Sequence, residues 1–245
     1  MVYLSNPDMK CTGFLNGTFN ITYGYASTGG LIDNIPTICG GFRFGFQPVQ
    51  TCFAFGNPNM TMKMLVPRKD ATSVLINSTT LWVIGGLNLE LRGSKGAFLS
   101  STELVSWTKP SPIKGPTLPS PLYASCSVKY NSTSIYIIGG IRKIPKSKNS
   151  DSIWIFDPSN NFFVRKGPSL QVGRRYHSCG ILRSKGRSYV VVAGGQVTGG
   201  TITNSVEILD PMSNKGWMKG KPASCMVSKK LTYALHWKCG FPKQN

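Results

Sequence analysis

Carboxylates and histidines are scarce in this 245-residue chain. Nine Asp and Glu stand against 28 Lys and Arg, and His177 and His236 are the only imidazoles. Acid–base catalysis by a carboxylate pair therefore has few candidates, and Asp157 and Asp210, each followed by proline, read as turn residues. Zinc is disfavoured, because no Cys-x-x-Cys occurs and two histidines do not fill a ligand set. Gly-x-Ser-x-Gly, His-Glu-x-x-His and Walker-type loops are also absent, which sets aside the corresponding hydrolases, metalloproteases and nucleotidases. Apolar runs stay strand-sized, far short of the roughly 18 residues that suggest a membrane span. No window carries the 3.6-residue apolar period of an amphipathic helix. Met1–Pro7 shows neither a basic n-region nor an apolar h-region, so no signal peptide is visible.

What the chain has is a repeat. Four apolar strands end in a glycine pair, at Gly40-Gly41, Gly85-Gly86, Gly139-Gly140 and Gly194-Gly195, at intervals of 45, 54 and 55 residues. Upstream of three pairs lies a small-residue strand: Ala71–Val74, Ala124–Val128 and His177–Ile181. Ala223–Val227 is a further copy without a clean pair of its own. Downstream come a third strand, closed by Asp157-Pro158 or Asp210-Pro211, then an aromatic (Trp107, Phe162-Phe163, Trp217) and a Gly/Pro-rich loop. Each unit thus reads as four short strands. Glycine at a strand end permits positive φ and close approach of neighbouring loops, so the pairs are read as structural and not as a phosphate cradle.

This pattern resembles the kelch repeat, in which an apolar strand ending in Gly-Gly recurs about every 50 residues. The resemblance covers residues 26–240 and implies an all-β, kelch-type β-propeller of about five blades, with an incomplete or open ring as the alternative. Residues 1–25 are expected to be an N-terminal segment that supplies a ring-closing strand, and 241–245 a tail. Trp237–Phe241 loosely echoes the first glycine-pair strand. Some kelch-like propellers are copper oxidases of the galactose oxidase type, whose site needs two histidines, a tyrosine ligand and a Tyr–Cys pair around one metal, but neither His177 nor His236 has a repeat partner that would complete it. No enzyme, cofactor or metal is expected, and His177 is read as a structural histidine near the channel.

Charge is the second signal. Residues 1–108 hold 7 basic and 5 acidic side chains, residues 109–245 hold 21 and 4. Such a field favours polyanionic partners, whether acidic proteins, sulfated glycans, anionic membrane surfaces or nucleic acid; the expected partner is a protein or acidic polysaccharide, with nucleic acid disfavoured. If strands alternate in direction, the loops from strand two to three and from strand four to the next blade share one face. That face collects Arg68, Lys69, Arg92, Lys95, Arg142, Lys143, Lys146, Lys148, Arg174 and Arg175 as the candidate binding residues. Solvated surface cations are the competing interpretation. Arg183, Lys185 and Arg187 fall on the opposite side.

Five Asn-x-Thr sequons, at Asn16, Asn20, Asn59, Asn77 and Asn131, suggest glycosylation and an extracellular protein, although asparagine is also a good turn former. An incomplete N-terminus reconciles them with the missing signal peptide. Of the seven cysteines, Cys126, Cys179 and Cys225 are assigned equivalent first-strand positions as free core thiols. Cys39 and Cys52 lie on adjacent strands and are the candidate disulfide. The expected function is a non-catalytic interaction module. The alternative is an intracellular kelch adaptor that recruits substrates or binds cytoskeleton, and a galactose-oxidase-like metalloenzyme is a remote third.

Overall fold

A computed structural model describes residues 26–42, 48–88, 97–144 and 146–223. The described chain is all-β apart from one 3-10 turn at Thr198–Gly200. With strands numbered in chain order, the first blade contains β1 (Thr28–Ile32), β2 (Ile35–Cys39), β3 (Thr51–Ala54) and β4 (Asn57–Lys63). The second has β5 (Thr72–Asn77), β6 (Thr80–Ile84), β9 (Thr102–Val105) and β10 (Ile113–Lys114), with a small hairpin of β7 (Leu87–Asn88) and β8 (Ala97–Phe98) above it. The third comprises β12 (Cys126–Asn131), β13 (Ser134–Ile138), β16 (Ile153–Asp157) and β17 (Phe163–Lys166). Beside it a loop sheet joins β11 (Leu122–Tyr123), β14 (Ile141–Ile144) and β15 (Lys146–Asn149). The fourth is β18 (Ser178–Ser184), β19 (Arg187–Ala193), β20 (Val206–Leu209) and β21 (Trp217–Lys219). Four four-stranded antiparallel blades are therefore present among the described residues. The ring-closing segment 1–25 and the half-lost repeat near Cys225 and Trp237–Phe241 lie outside them.

The core sits between blades. Ile32, Leu81, Val83 and Val105 pack across the first junction; Trp82, Ile84, Ile135 and Phe156 fill the second; Tyr136, Ile153, Val190 and Trp217 fill the third. The aromatic that recurs near strand four reaches back into the preceding blade each time. Trp107 Nε1 donates to Thr37 Oγ1 at 3.0 Å, Phe162 lies 5.0 Å from Trp82, and Trp217 Nε1 donates to the Pro168 carbonyl at 2.9 Å.

Inner strands are stitched at one recurring position. Opposite the last residue before each glycine pair stand Thr28, Thr72, Cys126 and Ser178. Thr28 Oγ1 meets Ser73 Oγ at 2.6 Å, Thr72 Oγ1 meets Ser127 Oγ at 2.8 Å, and Cys126 is bonded to Cys179 with a Cα separation of 6.0 Å. The assignment of Cys126 and Cys179 as equivalent free thiols is thereby corrected. Cys126 pairs with Ile138, while Cys179 pairs one step further from its glycines, with Val192. That single-residue offset lets one cysteine reach the other across the blade junction, as Thr72 reaches Ser127. Cys225 lies outside the described residues. Cys39 and Cys52 face each other on β2 and β3 and are bridged within the first blade.

The glycine pairs are pinched between loops. At Gly85, with φ +60°, an added Cβ would lie 2.4 Å from the Leu122 carbonyl of the departing loop. At Gly86, with φ +104°, it would lie 2.8 Å from the Lys69 carbonyl of the entering loop. No L side chain fits either place without moving backbone.

Candidate interaction site

Antiparallel pairing puts the loops from strand two to three and from strand four to the next blade at one end of every blade, the loop face, and the remaining turns at the other, the hairpin face. Two of the ten candidate cations are not on the loop surface. Arg68 and Arg174 are 1% and 0% exposed. Arg68 Nη1 donates to the Gly85 and Ser101 carbonyls at 2.7 and 2.9 Å and Nη2 to Glu103 at 2.6 Å, and Glu103 also accepts from the Leu65 and Val66 amides. Arg174 repeats the arrangement with Gly194, Ser205 and, at 2.5 Å, Glu207, which accepts from the Gln171 and Val172 amides. Burial pulls the Arg68 guanidinium below its usual range, and Glu103 opposes the shift. Both arginines are framework: a planar fork that satisfies two carbonyls and a carboxylate stranded at a blade junction. In the third blade the same two positions hold Leu122 and Trp154, an apolar solution to the same slot.

The residues next in line reach the surface. Lys69, Tyr123 and Arg175 follow Arg68, Leu122 and Arg174, and each pairs with the residue after a glycine pair: Lys69 with Leu87, Tyr123 with Ile141, Arg175 with Gln196. Beyond them Asp70, Ala124 and Tyr176 all take positive φ, and so does Ala26. Their backbones form a relay around the inner strands, with Asp70 N donating to Ala26 O, Ala124 N to Asp70 O and Tyr176 N to Ala124 O, at 2.9, 2.8 and 3.0 Å. This relay fixes where the neighbouring side chains stand.

A mixed cluster results. Lys69 Nζ lies 3.4 Å from Asp70 and 4.3 Å over the Phe42 ring. Arg175 Nε donates to Gln196 Oε1 at 2.7 Å while its guanidinium lies 5.9 Å over Tyr176. Tyr123 stacks edge-on to Phe98 at 4.6 Å. Burial raises the Asp70 carboxyl above its ordinary value, with Lys69 opposing. Burial also raises the Tyr123 and Tyr176 hydroxyls; Asp70 adds to both shifts and Arg175 opposes them, so both tyrosines stay protonated donors. Tyr176 is nevertheless half exposed. Nearby, Arg142 stands 5.6 Å over Trp154, and burial lowers its guanidinium while Asp151 opposes. Lys148, exposed, pairs across the β14–β15 hairpin with Arg142.

Of the sequence candidates, Lys69, Arg142, Lys148 and Arg175 fall on this face. Lys143 and Lys146 belong to the same hairpin by backbone register; Arg92 and Lys95 lie outside the described residues. Asn59, Asn77 and Asn131 are exposed on β4, β5 and β12, and Asn16 and Asn20 are outside the description. Sequence reasoning missed Asp70, Tyr123, Tyr176 and Phe98. A signal was available for Tyr123, which occupies the same repeat position as the candidate cations Lys69 and Arg175. His177, beside Gly139, is buried, and burial together with Arg174 pushes its imidazole down to about 3, so it is neutral. Among the described residues no group of three His, Cys, Asp or Glu side chains could hold a metal.

The blade order, the pinched glycines and the aromatic staples agree with comparisons to known proteins. Residues 124–161, the third blade up to its outer strand, match the family described as Kelch motif. This chain carries kelch repeats. Beta-scruin of Limulus polyphemus is 31% identical over 155 residues, and Alpha-scruin of the same organism 26% identical over 152. Each match takes in 58% of this chain and 15% of the relative, so the kelch-repeat chain spans a small part of either scruin. What the chain shares with these relatives is a kelch motif on an all-β frame.

Proposed function

We propose that this kelch-repeat module is non-catalytic, works outside the cell and receives an acidic protein segment on its loop face. The observation that carries the reading is the cluster of Lys69, Arg142, Lys148 and Arg175 beside the protonated tyrosines Tyr123 and Tyr176. Arginine and tyrosine supply large, amphipathic contact area and are enriched where interfaces gain most of their energy. The frame beneath them is held by two buried ion pairs and an inter-blade disulfide, so little ordering is left for the moment of binding. The extracellular part is supported by the two disulfides, which persist in oxidising compartments.

The test is binding of a glutamate-rich peptide to the unglycosylated chain, measured by titration calorimetry at two salt concentrations, with heparin as a parallel probe. Replacing Arg142, Lys148 and Arg175 together by glutamine should weaken peptide binding at least tenfold and flatten its salt dependence. Peptide affinity unaffected by the triple replacement overturns the loop-face reading. Binding of heparin but not the peptide transfers the site to acidic polysaccharide and overturns the protein partner. Localisation of the native protein on the cytosolic side overturns the extracellular part alone.

A further inference from the structure

Two sequons lie on the hairpin face in matching geometry. Asn77 ends β5 and Asn131 ends β12, and each opens the turn to the next strand of its blade. Asn77 Oδ1 accepts from the Thr79 amide at 3.0 Å and from Thr79 Oγ1 at 3.1 Å. Asn131 Oδ1 accepts from Thr133 in the same two ways, at 3.0 and 3.2 Å. All four bonds use the carbonyl oxygen of the side chain and none uses Nδ2. Both asparagines are exposed.

The turn itself does not require this triplet. The same connection is made by Asp33-Asn34 in the first blade and by Lys185-Gly186 in the fourth, each through positive φ and with no Asn-x-Thr. The same pair of bonds is made by Ser159 to Asp157 Oδ1, at 3.0 and 2.6 Å, so the hydroxyl two places on is itself part of a turn; what sets Asn77 and Asn131 apart is an exposed side-chain amide whose Nδ2 takes part in none of these bonds, followed by the threonine that an acceptor sequon needs.

We infer that Asn77 and Asn131 are N-glycan acceptors and that the hairpin face of the second and third blades carries sugar. In the transfer, Asn Nδ2 forms a bond to the anomeric carbon of a lipid-diphosphate-linked oligosaccharide. The bond from that carbon to the diphosphate oxygen breaks, its electron pair leaves on the lipid diphosphate, and the amide nitrogen releases one proton. The inference rests on the extracellular reading, because the donor is met in the secretory lumen. Sugar on this face lies at the end of the blades opposite Tyr176 and Arg175, so it leaves the interaction site open.

The experiment is secretion of the full chain behind an added leader from a eukaryotic host, followed by glycosidase release in heavy-oxygen water and peptide mass spectrometry. Material retained in the lumen, recognised by leader cleavage, is analysed the same way. Expected are heavy-oxygen aspartate at positions 77 and 131 and loss of one glycan mass in each of Asn77→Asp and Asn131→Asp, which keep the Oδ1 acceptor and the turn. Leader-cleaved protein with both disulfides formed and both asparagines unmodified overturns the inference and leaves the loop-face reading untouched. Peptide affinity should change less than twofold on glycan removal; a tenfold change overturns the separation of the two faces.

Discussion

Cutting the Cys126–Cys179 bridge removes the one covalent tie between blades among the described residues, and its expected cost follows from the loop it closes. The two cysteines are 53 residues apart, and restricting an unfolded loop of that length is worth about 4 kcal/mol in the chain-entropy treatment. Cys39–Cys52, with a separation of 13, is worth about 3 kcal/mol on the same basis. Replacing Cys126 and Cys179 by alanine should therefore destabilise the chain more than the same change at Cys39 and Cys52. The structure also supplies a repair. At the neighbouring junctions the position is held by Thr28 with Ser73 and by Thr72 with Ser127, so Cys126→Thr with Cys179→Ser recreates a hydroxyl pair. One hydrogen bond restores roughly 1 kcal/mol. Urea unfolding monitored by tryptophan fluorescence reads all three variants. Equal stability of the oxidised protein and the Cys126/Cys179 double alanine variant would refute the idea that this bond ties the blades.

Other consequences are open to the same assay. Arg68→Met strands Glu103 at the first junction and should cost about 3–5 kcal/mol, whereas Arg68→Leu with Glu103→Trp, copying Leu122 and Trp154, should cost clearly less; equal losses would contradict the reading of the third blade as an apolar version of the same slot. Trp82→Ala empties the second junction, where Trp82 is fully buried against Phe156 at 5.1 Å and Phe162 at 5.0 Å, and should cost about 3–5 kcal/mol in denaturant melts. His177 has a folded pKa near 3, below the 6.5 of the unfolded chain, so the unfolded state binds the extra proton between these values. Its contribution is present above pH 6.5 and is lost as pH falls toward 3. His177→Gln should flatten the stability profile in that window, and an unchanged slope would show the imidazole to be solvated.

The repeat was legible because its cause is local. A glycine pair at a strand end is forced by the two loops that press on it, so the pairs mark β2, β6, β13 and β19 without any knowledge of tertiary structure. Alternation of strands then sorted loops into two faces. Arg68 and Arg174 were misread because sequence alone does not say which arginine of an Arg-Lys or Arg-Arg pair turns inward; that depends on Glu103 and Glu207, more than 30 residues away. The disulfide between Cys126 and Cys179 was missed for a similar reason. A shift of one residue in register exchanges the two faces of a strand, and the small-residue strands look alike whichever way they are aligned. Tyr176 was hidden by its left-handed backbone, which a bulky non-glycine residue adopts only when neighbouring blades hold it there.

Hydrogen exchange with a bound glutamate-rich peptide tests the central claim most directly, because it locates the partner without altering the protein. The account predicts that amides in segments 64–71, 139–152 and 167–177 gain protection, with those of the turns at Asn77–Thr80 and Asn131–Ser134 unchanged. Protection confined to those turns and to the β18–β19 hairpin, where Arg183, Lys185 and Arg187 are exposed, would contradict it and move the interaction to the other end of the blades.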